Sequence, residues 1–244
     1  MTNQKELCLI IPCYNEEGRL NINSFKQAFS NYLNVEFLFV NDGSLDKTAH
    51  LLNNLENSFE NVSFLDLKQN VGKAHAIREA VNSLEVDYKY IGFFDADLAT
   101  PLSEVQNFLE KLNSNPHILC IMGARILRLG APIKRKAYRH YLGRVFATIV
   151  SMMLKLPVYD TQCGAKIFKG SIAKNIFTDG FVSMWFFDVE LIFRILSTIK
   201  KEEYLTSFYE LPLTNWEDVA GSKLKFTDFL KTPLELIKIY RKYC

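Results

Sequence analysis

Two carboxylates one residue apart, Asp95 and Asp97, directly follow the apolar run Tyr90-Ile91-Gly92-Phe93-Phe94. At the tip of a strand, such a pair offers oxygen ligands to a hard cation, Mg²⁺ or Mn²⁺, whose remaining positions a diphosphate and water can fill. A cation there would stabilise an anionic leaving group as its charge develops. A plainer reading has Asp95 capping a turn and Asp97 solvated, because Asp-x-Asp recurs by chance. The position just after a buried strand favours the metal. Thr100-Pro101 then suits a helix N-cap followed by proline at the first helical position.

Other polar clusters also sit at the ends of apolar runs: Cys13-Tyr14-Asn15-Glu16-Glu17, Asn41-Asp42-Gly43-Ser44 and Gln69-Asn70-Val71-Gly72-Lys73. Taken singly, Asp42-Gly43 is an ordinary turn dipeptide. Asp188 and, after it, Asp160 are candidate catalytic carboxylates beside Asp97. A hydroxyl nucleophile would need one of them as general base, whereas a phosphate nucleophile is already ionised and would need none. Either could instead cap a helix or hold an arginine or lysine. The four histidines, at 50, 75, 117 and 140, form no cluster and read as structural or surface residues.

Between Glu110 and Asp160 there is no acidic residue, while Arg125, Arg128, Lys134, Arg135, Lys136, Arg139 and Arg144 fall close together. A solvated helix face would account for them, but the missing acids point to an anionic partner, and Lys134, Arg135, Lys136 and Arg144 suit anionic lipid heads. Over the whole chain the formal charge is only +2, which gives no case for a nucleic-acid binder. The five cysteines show no C-x-x-C pairing, so neither a zinc site nor a disulfide framework is expected. The N-terminus lacks the layout of a signal peptide. The apolar stretch 145–154 is about half of the roughly 20 residues a membrane span requires. A cytoplasmic protein is expected.

These residues need a scaffold. Runs at 7–12, 35–41, 62–67 and 88–94 read as buried strands, and 24–33, 46–58 and 72–84 as helices between them, with Asp46 and Asn70 as plausible caps. The resulting β-α-β-α-β-α-β order predicts an α/β fold, a mainly parallel, Rossmann-like sheet with helices on both faces, and ligands at the C-terminal ends of its strands. Beyond Pro101 the alternation loosens: a strand at 118–124, helices at 136–156 and 187–199, a strand at 205–211 and a basic amphipathic helix at 226–243. No linker or repeat divides 1–244, so one domain is expected, with 1–100 as its nucleotide-binding half and 101–244 as its acceptor half. A dinucleotide-dependent oxidoreductase is disfavoured, since no G-x-G-x-x-G follows the first strand. A non-catalytic module of the same fold would not need Asp95 and Asp97.

The four ordered motifs Ile11-Pro12-Cys13-Tyr14-Asn15-Glu16-Glu17, Val40-Asn41-Asp42-Gly43-Ser44-Leu45-Asp46, Asn70-Val71-Gly72-Lys73 and Asp95-Ala96-Asp97 resemble glycosyltransferase family 2, with its GT-A fold. The resemblance assigns Pro12, Tyr14, Glu16, Asp42 and Lys73 to the nucleotide-sugar, and Asp95 and Asp97 to metal and diphosphate. In the second half, Asp160-Thr161-Gln162-Cys163-Gly164-Ala165-Lys166, Trp185-Phe186-Phe187-Asp188-Val189-Glu190-Leu191 and Gly221-Ser222-Lys223-Leu224 resemble the polyprenyl-phosphate branch, and among it most of all the dolichyl-phosphate β-glucosyltransferases. Arg125, Arg139, Ser222 and Lys223 are thereby assigned to the acceptor phosphate. Related mannose synthases often carry glutamine where this chain has Ala99, which weakens a mannosyl reading. The resemblance implies an inverting, metal-dependent transfer of a sugar, glucose from UDP-glucose, to a polyprenyl phosphate by a protein held peripherally at the cytosolic membrane face. Its rival is a soluble family 2 enzyme that glycosylates a sugar hydroxyl in polysaccharide or cell-envelope glycan assembly.

Overall fold

The computed structural model describes residues 6–127, 129–130, 133–134, 137–217 and 226–243, and only the backbone of 134, 137–140 and 226–232. In chain order the first half contains β1 (Leu7–Cys13), α1 (Ile22–Asn31), β2 (Val35–Asp42), α2 (Thr48–Glu56), β3 (Val62–Leu67), α3 (Lys73–Asn82), β4 (Tyr90–Phe94) and α4 (Glu104–Ser114). The second half runs β5 (Cys120–Ala124), β6 (Ile133–Lys134), α5 (Ala137–Leu154), β7 (Ala165–Lys169), α6 (Gly170–Phe177), α7 (Phe187–Leu196), α8 (Tyr204–Ser207), β8 (Phe208–Pro212), β9 (Trp216–Glu217) and α9 (Phe226–Tyr243).

Seven strands form one sheet in the order β3-β2-β1-β4-β7-β5-β8. The block from β3 to β4 is parallel, β7 runs antiparallel between β4 and β5, and β8 is again parallel to β5. Central strands of such a sheet are covered on both faces, so they are apolar without alternation. In β1, Cys8 and Ile10 join one core cluster with Ala74 and Ile77 of α3, while Leu7, Leu9 and Ile11 join the other with Phe25 and Phe29 of α1. The fold is the expected mainly parallel α/β sheet with helices on both faces.

Local chemistry shifts several expected boundaries. The helix after Asp97 starts at Glu104 with Ser103 before it, so Thr100-Pro101 belongs to the preceding turn and not to a cap. Asp46 does receive the Thr48 amide at 3.0 Å, whereas Asn70 caps nothing and donates to the Asp42 carbonyl at 3.2 Å. Residues 205–207, expected to begin the strand at 205–211, lie in α8 instead, and the strand starts at Phe208. Strand β7 breaks the apolar pattern with Lys166 at its second position, which hid it from a reading by periodicity.

Candidate active site

The loops after β1, β2 and β3 are stitched together by their own polar residues. Asn15, in a left-handed conformation, donates its amide to Ser44 Oγ at 2.9 Å and accepts the Leu45 amide through Oδ1 at 2.9 Å. The Glu16 amide reaches Thr48 Oγ1 at 2.8 Å and that of Glu17 reaches Asp46 Oδ2 at 3.1 Å. Buried Asp42 accepts the Val71 and Gly72 amides at 2.7 and 2.9 Å, one on each carboxylate oxygen. Gly43 must be glycine: its φ is +62° and an added Cβ would lie 2.3 Å from the Gln69 carbonyl carbon. Asp42 thus fixes the turn that launches α3, with Lys73 as its first residue.

Asp95 leaves β4 with its amide on the Gly164 carbonyl at 3.1 Å. Its carboxylate fills the space where Gly164 would carry a side chain, an added Cβ there standing 1.7 Å from Asp95 Oδ2. Asp97 accepts the Ala99 amide at 3.0 Å, and Leu98 between them adopts a φ of 55°. Lys73 Nζ lies 2.5 Å from Asp95 Oδ1, over the Phe93 ring at 5.4 Å. Burial pushes the Asp97 carboxyl up, and the neighbouring Asp95 charge pushes the same way against the Ala99 amide, Lys73 and Arg19. For Lys73, burial opposes the charge, but Asp95, Asp188 and Asp97 outweigh it and hold the ammonium above its ordinary range.

These carboxylates fit a divalent cation. Two oxygen-bearing groups are held close enough to repel, which a cation between them would relieve. Among the described residues no group of three or more His, Cys, Asp or Glu side chains is gathered to hold a metal. The remaining ligands would therefore come from a diphosphate and water, the arrangement expected for Mg²⁺ or Mn²⁺.

The other anticipated residues divide into three groups. Pro12, at the end of β1 opposite Val40, and half-buried Tyr14 flank the stitched loops with buried Glu16. Asp160 is buried and gripped by Arg125, whose Nε and Nη2 lie 2.6 and 2.7 Å from its two oxygens. The Asp160 amide itself donates to Glu210 Oε1 at 2.6 Å. Asp188, in the first turn of α7, is buried with Lys166 Nζ 2.5 Å from its Oδ1. Arg139 lies on α5, described there by its backbone alone, and Ser222 and Lys223 fall outside the described residues. Sequence reasoning passed over Gly164 and Lys166 individually, although both stand in a motif it had marked. A lysine amid apolar strand residues was the available signal, and its partner Asp188 lies far along the chain.

Residues 8–177 match the family described as Glycosyl transferase family 2. The chain belongs to that family. Among its relatives, the Homo sapiens dolichyl-phosphate beta-glucosyltransferase is 30% identical over 261 residues, covering 98% of this chain and 76% of the relative. The Saccharomyces cerevisiae dolichyl-phosphate beta-glucosyltransferase is 29% identical, covering 97% and 75%. A solved structure of Mycobacterium tuberculosis glucosyl-3-phosphoglycerate synthase with Mn²⁺ and UDP-glucose superposes with a TM-score of 0.69 at 14% identity, covering 98% of this chain and 79% of that one. A Pyrobaculum calidifontis mannosyltransferase with GDP-mannose and Mn²⁺ gives 0.65 at 16%, covering 99% and 64%. This protein is therefore a glycosyltransferase with the GT-A fold.

Proposed function

We propose that the protein transfers glucose from UDP-glucose to a polyprenyl phosphate of the dolichyl type, with inversion, at the cytosolic face of a membrane. The observation that carries the reading is the convergence of Lys73, Asp95 and Asp97 on the C-terminal edge of the sheet, beside a loop cradle organised by Asp42. It is supported by relatives whose names give both the glucosyl group and the dolichyl phosphate.

In this reading Pro12, Tyr14, Glu16 and Asp42 form the nucleotide side, and Lys73 meets the diphosphate. Asp95 and Asp97 would hold Mg²⁺ or Mn²⁺, which when bound supplies charge stabilisation to the departing nucleoside diphosphate. Arg125, Arg139, Ser222 and Lys223 are assigned to the acceptor phosphate. Among the described residues Arg125 gives Nε and Nη2 to Asp160, and a guanidinium has five donors, so in this reading Nη1 is the donor offered to the acceptor phosphate.

A phosphate acceptor is favoured over a sugar hydroxyl by the state of the two candidate bases. Asp160 and Asp188 are each buried and engaged by a cation, Arg125 and Lys166 respectively. An ionised phosphate needs orientation and charge screening and no proton acceptor. The test is a donor screen with a short polyprenyl phosphate, with and without Mn²⁺. Glucosyl transfer from UDP-glucose that collapses on chelation is the expected result. Transfer only to free sugars would move the protein to the soluble, hydroxyl-glycosylating reading.

A further inference from the structure

Lys166 is an expensive residue to bury. Its side chain is 1% exposed, in a strand whose neighbours Ala165, Ile167 and Phe168 all lie in the core. A buried ammonium is tolerated only when partnered, and well-packed apolar residues often serve stability as well or better. Its partners here both belong to the site. Nζ donates to the Cys163 carbonyl at 2.6 Å and lies 2.5 Å from Asp188 Oδ1. Cys163 precedes Gly164, which receives the Asp95 amide and leaves room for the Asp95 carboxylate. One ammonium therefore anchors both the turn behind Asp95 and the carboxylate at the head of α7.

Three carboxylates (Asp95, Asp97, Asp188) and two ammoniums (Lys73, Lys166) share this end of the sheet. The Lys73 and Lys166 ammoniums lie 5.4 and 5.5 Å from the same Phe93 ring, and Lys73 Nζ is 5.9 Å from the ring of Phe187, the residue before Asp188, so the Asp188 charge is felt at Lys73. With Lys166 in place, Asp188 has its own cation and Lys73 stands on Asp95. Without it, Asp188 becomes a buried, uncompensated anion whose charge acts on Lys73.

We infer that Lys166 is a positioning residue for the donor site: by neutralising Asp188 and bracing the Cys163-Gly164 turn, it keeps Lys73 at Asp95, where a donor diphosphate would bind. The inference rests on the nucleotide-sugar reading above.

The experiment measures UDP affinity calorimetrically at fixed Mn²⁺, independently of turnover. Lys166→Met should bind UDP about tenfold more weakly than the wild type, a coupling of ordinary size for contacting charges. Lys166→Met combined with Asp188→Asn, which removes both charges, should recover to within about threefold. Should Lys166→Met fail to fold, Lys166→Gln keeps a donor for the Cys163 carbonyl while removing the charge, and the same weakening and the same rescue by Asp188→Asn are expected. Unchanged UDP affinity in a folded Lys166 variant, or no rescue in the double variant, would overturn the inference and leave Lys166 as packing. A wild-type protein that binds no nucleoside diphosphate would overturn both this inference and the donor reading.

Discussion

Asp97 bears a cost that a purely structural residue would not be expected to bear. Burial and Asp95 raise its folded-state pKa, so the folded protein holds that proton more tightly than the unfolded chain. Stability then falls as pH rises through the interval between the unfolded and folded values, and the penalty is complete above it. Asp97→Asn removes the penalty. In chelator, the variant should melt higher than the wild type at pH 7, with the gap closing as pH falls through the ordinary carboxylate range near pH 4. Adding Mn²⁺ should raise the wild-type melting temperature and leave the variant unmoved, and glucosyl transfer by the folded variant should be abolished. A wild type unresponsive to Mn²⁺ would remove the metal assignment. Gly164→Ala makes a companion test, because its methyl would stand 1.7 Å from Asp95 Oδ2 and must displace that carboxylate. A loss of activity on the order of a hundredfold is expected, in line with misplacement of a reacting group by about an ångström.

At the scale of elements, how readable the chain was depended on whether contacts were local. The β-α-β alternation and the loops at strand ends were legible because apolar period and turn chemistry are written within ten residues. Strand β7 was not, since Lys166 is stabilised by Asp188 from α7, a partner that no window around β7 contains. For the same reason Asp160 and Asp188 could be nominated as bases while their cations stayed hidden. Helix α9 adds a further long-range tie. Tyr243 donates to Glu190 Oε1 at 2.8 Å and receives Arg194 Nε at 3.0 Å, while its ring stacks on Phe193 at 5.7 Å. Glu190, fully buried, also accepts the Val182 amide at 2.8 Å, in the segment leading to Met184 beside Gly72. Tyr243→Phe keeps the stacking and deletes the hydrogen bonds, so a loss of about 1 kcal/mol is expected. Thermal melts should show a fall of roughly 2–4 °C. No change would mean that solvent serves Glu190 and Arg194 equally well.

At the scale of the molecule, the question is how a chain with no helix long and apolar enough to cross a membrane, among its described residues, would reach a lipid acceptor. Two helices leave apolar side chains in solvent. On α5, Tyr141, Leu142, Val145, Ile149 and Met152 are exposed while Ala147, Val150 and Leu154 pack inward. On α9, Leu236 and Ile239 are buried, and Leu234, Ile237 and Tyr240 face outward beside exposed Lys238, Arg241 and Lys242. Leu236 and Ile239 therefore hold the C-terminal part of α9 down, and Leu234, Ile237 and Tyr240 do not. An apolar face rimmed by positive charge suits the headgroup boundary of an anionic bilayer. Each basic residue near such a surface contributes about 1 kcal/mol, and a fully buried valine or isoleucine about 1.5–3 kcal/mol. The protein should therefore co-sediment with anionic vesicles at low salt and be released as ionic strength rises, because the screening length shrinks from about 10 Å at 0.1 M to about 3 Å at 1 M. Deleting α9 is a blunt test, since it uncovers Glu190 and part of the core. Val145→Asp with Ile149→Asp is sharper: both side chains are exposed, so UDP affinity should hold while vesicle binding drops by on the order of tenfold or more. Intact protein that stays in the supernatant at low salt would reject direct membrane docking and favour a soluble sugar acceptor.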